Sequence, residues 1–593
     1  MVIHRSAGED RGSSSSSSSL SNDPELRQPL RDSTPSENEN GYDKGNEQAD
    51  DNNEKPKAPH IRWRDLPNKD QLFILSLCRL SEPLSNVCLL PYIFFLVLSV
   101  LSSPSPSSEG EAADAAQISI YSGLLVASFP LAQCATSLPW GRFSDRRGRR
   151  LPILAGLAIS ALANAGFGLS SRSSFGALLA WRALAGLANG NVGIMRAATA
   201  ETVTIGDDMR YRARAFLLLP LVFNAGTAAS LALGGCLADP AVNLPWLFGP
   251  EGWFNPGRNP GGAPWALENP YALPALMNAV VLAGVLVLAV LGFRETLPGK
   301  EAHDDVALRA GAAVARWARQ CWMCCCYRQR QHRYTEIGDE GERFVGEVPV
   351  DQDQEQGQEK PFEAPIKPPG DRIPFQGIWT RKVLCALVSF GLLPLHNSAF
   401  MHIFPVFLSS PASDTNNTPS LFSFTGGLGL PSSTIGLWLS AAGLGGILLQ
   451  LFIYPRLQSR IGTRGVLRVA LVLFPLAYAA APYLSLLSVQ GQEPQKWAFL
   501  ACVVAAQIAA RTMAIPSTVI LLTEAAPGRA VLGTVHGAGN TLASLARAVG
   551  PAVGGYVFAR GVDVGVVGLV WWFYLVVIAL CALVWSYVME GGK

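Results

Sequence analysis

The chain has 593 residues, of which 49% are hydrophobic and only 16% are charged. A soluble domain carries roughly 25% charged residues, and the apolar residues here gather in runs of about 20, the length that crosses ~30 Å of hydrocarbon. The composition excludes a soluble globular protein and predicts an all-α integral membrane protein that works in a lipid bilayer. The net charge of +2 is small, and neither a nucleic-acid partner nor a cofactor is expected.

Residues 1–68 are rich in Ser, Asn, Asp, Glu and Pro, and they include a serine run from Ser13 to Ser19. Such a segment cannot bury enough apolar surface to fold. We expect a disordered cytoplasmic tail, and the polar start gives no sign of a cleaved signal peptide.

Twelve apolar spans follow, which predicts two six-helix bundles joined by a long connector. The domains are then a first bundle at 69–297, a largely disordered cytoplasmic loop at 298–378 and a second bundle at 379–590. In the first bundle the spans are expected near 71–101, 117–140, 151–170, 175–200, 212–237 and 271–293. In the second they are expected near 381–409, 433–455, 466–486, 497–522, 531–558 and 564–588.

The first span contains ionisable side chains far from its ends. Glu82 lies about 11 residues, or ~16 Å, into the span, and Arg79 and Asn86 share its helix face. A charge at this depth costs roughly 2.5–3.5 kcal/mol, so it normally faces a protein interior or a watery cavity. Pro83 can kink the helix beside Glu82. Either Glu82 forms a local ion pair with Arg79, or it takes up a proton or meets a cationic group of a substrate.

The turn after the second span reads Gly141-Arg142-Phe143-Ser144-Asp145-Arg146-Arg147-Gly148-Arg149-Arg150. Five arginines at this place indicate a tight cytoplasmic turn. Asp145 is expected near the N-terminal end of a neighbouring helix, which favours an anion, and Arg146 and Arg149 are expected to pair with acidic groups or carbonyls. Such contacts would close the cytoplasmic side and break when the carrier opens inward. Alternatively, the turn only anchors the chain in the membrane.

The fourth span carries Arg182, Gly186 and Gly190 at a spacing of four residues. Glycines at this spacing allow two helices to approach closely, and we expect Arg182 to point into a cavity between the bundles. On an uninterrupted helix Arg196 lies about 40° away around the axis. It belongs either to the same polar stripe or to a pair with Glu201.

Two polar loops carry candidate modification sites. Cys321, Cys324, Cys325 and Cys326 cluster in the central loop among arginines, which suits palmitoylation of a membrane-surface helix. A zinc site needs a second pair of ligands at a defined spacing, and none is present, so no metal is expected. Asn416-Asn417-Thr418 fits a glycosylation acceptor in an outward-facing loop.

The second half supplies further polar candidates within its spans. His396 and Asn397 fall near the middle of the seventh span, and imidazole titrates near physiological pH. The alternative is a hydrogen-bonded packing histidine. Arg511 and Arg547 lie deep in the tenth and eleventh spans, where they either line the pathway or form structural pairs.

The arginine turn is repeated 314 positions later, and Arg142, Arg146, Gly148 and Arg150 map onto Arg456, Arg460, Gly462 and Arg464. The chain therefore looks like two related halves, as in a carrier. Ser459 replaces Asp145 in the second copy, so we expect it to be the weaker latch.

Short loops at 141–150, 206–214, 455–468 and 524–530 hold 13 arginines, whereas the loops at 102–116 and 409–432 hold no Lys or Arg. The positive-inside rule then places both termini in the cytoplasm. The sequence does not choose between the plasma membrane and the vacuolar membrane.

The turn from Gly141 to Arg150 resembles the signature of the major facilitator superfamily between its second and third helices. The resemblance implies that this turn takes part in the conformational switch, as a gating loop made of Gly141, Asp145, Arg146, Gly148 and Arg149. Arg182, Gly186 and Gly190 are similar to the family's pattern in the fourth helix. Gly550-Pro551-Ala552-Val553-Gly554-Gly555 resembles the glycine-proline motif of the drug/proton antiporter branch. That motif normally lies in the fifth helix, which here reads Ser230-Leu231-Ala232-Leu233-Gly234-Gly235.

Three stretches also resemble the zinc-induced-facilitator-like group of plants and fungi. They are Arg79-Leu80-Ser81-Glu82-Pro83, Trp181-Arg182-Ala183-Leu184-Ala185-Gly186 and Leu532-Gly533-Thr534-Val535-His536-Gly537. The resemblance covers roughly 65–295 and 375–590, and it implies the major facilitator fold, a monomer, and secondary transport of small organic molecules.

These features together predict a secondary active transporter rather than an enzyme. A small organic solute would cross by alternating access, with protons as the expected coupling partner and drug-type efflux as the expected activity. The alternatives are a transporter-like nutrient sensor that signals through its tail and loop, and a metal-chelate facilitator.

Overall fold

The computed structural model describes residues 68–102, 115–172, 174–202, 209–297, 308–313, 316, 375–412, 422–489, 493–528 and 531–589. The chain divides after His60, and every described residue belongs to the part that begins at Ile61. All regular elements among the described residues are helices. The predicted tail at 1–68 and nearly all of the predicted central loop at 298–378 lie outside the described residues.

The first half contains six spans, numbered here in chain order. Span 1 comprises Lys69–Cys78, Ser81–Asn86 and Ile93–Leu101; span 2 is Ala115–Arg147; span 3 is Arg150–Leu169; span 4 comprises Phe175–Ala188, a 3-10 turn at Asn189–Asn191, and Val192–Thr202; span 5 is Met209–Leu237; span 6 is Leu273–Gly292. Short helices at Pro240–Asn243, Pro245–Phe248 and Pro264–Glu268 lie between spans 5 and 6.

The second half repeats this pattern. A 3-10 turn at Phe375–Ile378 precedes span 7, Arg381–Ser409. Span 8 comprises Ser432–Leu448 and a π-helical turn at Leu449–Ile453, and it continues into Tyr454–Ala480, which Gly462 kinks. Span 9 is the part after Gly462, extended by Ala481–Tyr483 and Leu484–Val489. Span 10 is Glu493–Ala525, span 11 is Leu532–Asp563, and span 12 comprises Val570–Val576 and Val577–Val588.

Eight helices among the described residues are long and apolar enough to cross a bilayer, and one of them, Ser432–Ser488, contains two of the predicted spans. The other three predicted spans are shorter or broken. Span 5 contributes an apolar helix at Leu221–Leu237, and spans 1 and 4 are interrupted within their length. All twelve predicted spans therefore have a counterpart, and the predicted fold class is confirmed.

Span 1 breaks where its prolines lie. Pro83 is the third residue of the middle helix, and Pro91 lies two residues before Ile93, where the third helix of the span begins. A proline has no N–H to donate, so it suits the first turn of a helix and interrupts a longer one. The result is a short middle helix, Ser81–Asn86, that carries Glu82 and Asn86 between two turns.

The two halves pack against each other through spans 2 and 11 and through spans 5 and 8. Glycine permits the closest approaches. A Cβ on Gly123 would lie 2.7 Å from the Pro551 carbonyl oxygen, and one on Gly555 would lie 2.6 Å from the Ser119 carbonyl oxygen. Gly235 and Gly436 meet in the same way. We call these positions (Ser119, Gly123, Gly235, Gly436 and Gly555) the seam; they lie toward the span ends farthest from both arginine turns.

Candidate functional site

The buried carboxylate of Glu82 lies at the boundary between the two halves. Only 2% of this residue is exposed. Its Oε2 is 2.5 Å from Arg79 Nη1 on span 1, and its Oε1 is 2.7 Å from Arg547 Nη1 on span 11. The structure therefore contains the predicted local pair and adds a second arginine from the opposite half.

Neutral side chains from spans 2 and 11 orient Arg547. Its Nη2 donates to Gln133 Oε1 at 3.1 Å and to Ser544 Oγ at 3.0 Å. Gln133 in turn donates from Nε2 to the Asn189 carbonyl at 3.0 Å. Spans 1, 2, 4 and 11 thus converge on one ionic contact. Gln133 was missed in the sequence, although a lone glutamine within the apolar run of span 2 was the available signal.

Arg196 belongs to the same region. It donates from Nη1 to Asn540 Oδ1 on span 11 at 3.1 Å, and it interacts electrostatically with Arg79, Glu82 and Arg547. The alternative pairing with Glu201 is wrong, because Glu201 binds Arg149 instead. The expectation of an uninterrupted helix from Arg182 to Arg196 is also wrong, since the 3-10 turn Asn189–Asn191 separates them.

Arg182 is 3% exposed and is held inside the first half. It donates to the Ser85 carbonyl, to Asn86 Oδ1 at 3.0 Å and to the Leu125 carbonyl at 3.4 Å. It also lies beside a cavity of about 20 Å³, lined in part by Asn164 and Asn278. Such a cavity has room for about one water molecule. Arg182 and Asn86 therefore form a second polar cluster next to Glu82.

The candidates in span 7 are separate from this boundary. His396 is fully buried, its Nδ1 lies 2.8 Å from the Tyr478 hydroxyl, and its ring meets Phe474 edge-on at 4.7 Å. Asn397 accepts a hydrogen bond from Gln507 Nε2 at 3.1 Å. All of these partners belong to the second half. His396 therefore lies inside that half, in the surroundings expected of a hydrogen-bonded packing histidine.

Arg511 lies on span 10, four residues after Gln507 and therefore on the same helix face. No hydrogen bond or ion pair joins it to any residue that the structure describes. The described contacts thus join Glu82 to Arg547 and Asn86 to Arg182 in two neighbouring clusters, and they leave Arg511 and the span 7 candidates outside both.

Arg149 is the centre of the arginine turn. Its guanidinium lies 2.6 Å from Asp145 Oδ1 and 3.0 Å from Glu201 Oε1. Burial opposes its charge, but the hydrogen bonds and charges of Glu201 and Asp145 outweigh that effect and raise the pKa of Arg149 above its usual value. The turn is thereby tied to span 4 of its own half.

The anion at the start of span 3 is Glu295 rather than Asp145. Glu295 accepts the backbone N–H groups of Arg149 at 2.6 Å and Arg150 at 3.0 Å, which are unpaired donors of a helix N-terminus. The side chain of Asp145 is 66% exposed, and its described partner is Arg149 in its own turn. Among the described contacts, Asp145 therefore makes none with the N-terminal end of a neighbouring helix, which is where the sequence predicts it.

Other residues of the turn have simpler surroundings. Gly148 adopts φ +101°, and a Cβ there would lie 2.4 Å from Glu295 Oε2. Gly141 has open space where a Cβ would point, and Arg146 is exposed. In the second copy Gly462 also has positive φ, at +70°. Ser459 donates to the Arg456 carbonyl at 2.8 Å, and a neutral serine cannot form the ion pair that Asp145 forms in the first turn.

The glycines predicted to pack helices are at close helix contacts. A Cβ on Gly186 would lie 2.2 Å from the Phe129 carbonyl oxygen, and one on Gly190 would lie 2.5 Å from Trp140 Cδ1. On span 11, a Cβ on Gly550 would lie 2.3 Å from the Leu395 carbonyl and one on Gly554 would lie 2.7 Å from Ile403 Cδ1. Gly555 of the same motif belongs to the seam, and the Pro551 carbonyl oxygen lies next to Gly123 there.

Two groups of candidates fall outside the described residues, namely the glycosylation acceptor Asn416 and the palmitoylation candidates Cys321, Cys324, Cys325 and Cys326. Within the described part, no group of three or more His, Cys, Asp or Glu side chains is arranged to hold a metal ion.

Two helical bundles that meet along a seam, with ionised side chains buried where they meet, define a membrane carrier of the two-bundle class. A family model described as Major Facilitator Superfamily matches residues 87–427. The chain belongs to the major facilitator superfamily. It is a multi-pass membrane protein and a secondary transporter of small molecules, not an enzyme.

The comparisons agree on this class. The chain is 33% identical to the major facilitator superfamily multidrug transporter mfsB of Aspergillus fumigatus, over 86% of this chain and 81% of the relative. It is 26% identical to the Arabidopsis thaliana protein Zinc Induced Facilitator 1, over 81% of each chain. The crystal structure of an auto-inhibited POT family peptide transporter matches 88% of this chain and 97% of its own, with a TM-score of 0.54 and 13% identity, which supports the fold alone.

Proposed function

We propose that the protein couples the movement of a small organic solute to protons by alternating access, as an efflux-type carrier. It works as a monomer with both termini in the cytoplasm, in the plasma membrane or the vacuolar membrane. The multidrug function in the name of the Aspergillus fumigatus relative supports the choice of solute.

The ionic contact between Glu82 and Arg547 is the observation that carries this proposal. The two residues come from opposite halves, so any movement that separates the halves must break their contact. Separating two opposite charges in a poorly solvated site is costly, because their attraction is weakly screened there. A proton on Glu82 neutralises the carboxylate and lowers that cost, which links proton uptake to the opening of the boundary.

Reconstituted protein provides the test. The full chain is placed in liposomes, a pH gradient is imposed, and a panel of anionic, neutral and cationic organic solutes is screened for accumulation. We expect at least one solute to accumulate above its equilibrium level and to leave when nigericin collapses the gradient. Glu82→Gln, normalised to folded protein, should lose this accumulation. Undiminished accumulation by Glu82→Gln, or none under any gradient, contradicts proton coupling through Glu82.

The same panel separates the alternatives. A nutrient sensor would bind a solute without accumulating it. A zinc chelate in the panel tests the metal-chelate facilitator. Accumulation of the chelate alone would favour that second candidate.

A cross-link tests alternating access directly. Cys134 Sγ on span 2 lies 3.6 Å from the Thr541 carbonyl oxygen on span 11, so Thr541→Cys places two thiols on facing helices. Oxidation should join the halves and stop transport, and a reductant should restore it. The matched control carries Thr541→Cys together with Cys134→Ser and should be insensitive to the oxidant. Full transport by the cross-linked protein would contradict separation of these spans.

A further inference from the structure

The charges around Glu82 are unbalanced. Arg79 and Arg547 both contact its carboxylate, and Arg196 interacts electrostatically with all three. We call these four residues the central basic cluster. Three guanidinium groups and one carboxylate leave two positive charges uncompensated within it.

The neighbouring charged groups do not restore the balance. His536 on span 11 faces Arg196 and hydrogen-bonds Thr523 Oγ1 at 3.0 Å. Arg182 binds Asn86, one helical turn after Glu82. Among the described residues, Glu82 is the one carboxylate that forms an ion pair with an arginine of the cluster. Uncompensated cations in a low-dielectric interior attract an anion strongly.

Arg547 is the cluster member that a solute can reach. Its side chain is 30% exposed, whereas that of Glu82 is 3% exposed. Nη1 is engaged by Glu82, Nη2 donates to the neutral oxygens of Gln133 and Ser544, and Nε is buried without a hydrogen-bond partner among the described residues. Protonation of Glu82 releases Nη1, and a guanidinium that has lost its carboxylate matches an oxygen of a carboxylate, sulfonate or phosphate.

We infer that the solute carries an acidic group, which binds Arg547 in place of Glu82 and crosses the membrane together with a proton. This inference rests on the proposed function and adds the chemical class of its solute. It also argues against the cationic solute considered from the sequence, since both Glu82 oxygens are already occupied by arginines.

The exchange balances in protons and charge. A proton from water binds Glu82 Oε1 and breaks its ion pair with Arg547 Nη1, and an oxygen of the solute forms the replacing pair. After the halves have moved, the solute leaves, Glu82 releases the proton, and the original pair reforms. One proton accompanies one singly charged anion, so the sum of the proton and solute gradients sets the direction of transport. Efflux from the cytoplasm then requires that the outward gradient of the solute exceed the proton gradient directed into the cytoplasm.

Three isosteric probes test the charge preference on the wild-type protein. They are 2-naphthalenesulfonate, which stays anionic at every working pH, 2-naphthalenesulfonamide, which is neutral, and 2-naphthylmethylammonium. Binding is measured by thermal stabilisation of the purified full chain, since a ligand of the native state raises its melting temperature. Only the sulfonate should stabilise the protein, and its affinity should be about tenfold higher near pH ~5.5 than near pH ~8, where Glu82 competes for the arginines.

Variants assign the effect to residues. Arg547→Gln should weaken sulfonate binding about tenfold, and Glu82→Gln should bind the sulfonate at pH ~8 as tightly as at pH ~5.5 because the competing carboxylate is gone. Arg560→Gln, an exposed arginine on the same span, is the matched control and should retain wild-type affinity. His536→Gln should keep the pH dependence.

Equal stabilisation by the neutral or cationic probe would overturn the inference, as would unchanged sulfonate affinity in Arg547→Gln. A pH dependence that His536→Gln removes would assign the proton elsewhere and also overturn it. If a cationic solute instead accumulates with the pH gradient in liposomes, the inference fails while the proposed function stands. Loss of gradient-driven accumulation for every solute defeats the proposed function itself.

Discussion

Glu82 and Arg547 are 465 positions apart in the sequence, and their side chains lie 2.7 Å apart. The contact joins the two halves of the carrier at a depth where water is scarce. Because Arg79 holds the other carboxylate oxygen, Glu82 keeps a partner when Arg547 moves away. The contact is therefore a link that can open without stranding the carboxylate.

A double-mutant cycle should measure this link. Glu82→Gln, Arg547→Gln and the double variant are expected to show a coupling of about 1–3 kcal/mol in thermal or denaturant unfolding, as contacting ionic residues do. Glu82→Gln should be the more destabilising single change, because it leaves two arginines without a carboxylate. Additive effects would show that the two residues are not paired in the membrane protein.

The arginine turn offers a matched pair of residues. Arg149→Gln should destabilise the protein by about 1–3 kcal/mol, since it leaves Glu201 without its arginine and Asp145 without its partner. Arg146→Gln should change stability by less than about 0.5 kcal/mol, as exposed substitutions do.

Transport by Arg146→Gln then distinguishes the two interpretations of this turn. Impaired transport at normal stability indicates a contact that forms in another conformation, as a gating turn requires. Normal transport together with inverted topology, measured by labelling of the termini, indicates an anchor alone.

Glycines in span 4 should respond to alanine in opposite ways. Gly186→Ala places a Cβ 2.2 Å from the Phe129 carbonyl oxygen, and relieving that clash should cost about 1–3 kcal/mol. Gly193 has open space around its Cβ position, so Gly193→Ala should be neutral or stabilising by up to about 1 kcal/mol. Melting temperatures in detergent compare the two. Equal melting temperatures would mean that spans 2 and 4 are not in close contact.

His396 should contribute to stability and not to proton coupling. His396→Leu removes the partner of the buried Tyr478 hydroxyl and should cost about 1–3 kcal/mol. The pH dependence of transport, measured over the range in which imidazole titrates, should stay as in the wild type. A shifted pH profile in this variant would show that His396 takes part in proton coupling.

Features that depend on residues close together in the sequence could be predicted. The twelve spans follow from runs of apolar residues, and the pair between Arg79 and Glu82 follows from their spacing of three. The close approach at Gly186 and Gly190 follows from small residues spaced by four. Each of these patterns lies within a single helix.

Most of the features that were missed are contacts between residues far apart in the sequence. Nothing local to Arg547 identifies Glu82 as its partner, because the two meet only when both bundles have formed. Depth within span 7 does not reveal which direction His396 faces. The break within span 4 had a local signal, since Asn189-Gly190-Asn191 is a turn-prone sequence, but the apolar residues around it favoured an uninterrupted helix.

The left-handed glycines of the two turns, Gly148 at φ +101° and Gly462 at φ +70°, have a consequence for the descent of the protein. The second copy has serine where the first has Asp145, yet its glycine also adopts a positive φ. If the halves arose by duplication of one ancestral gene, both copies kept the glycine bend, but only one copy has the aspartate that pairs with Arg149. The two turns could then diverge in function.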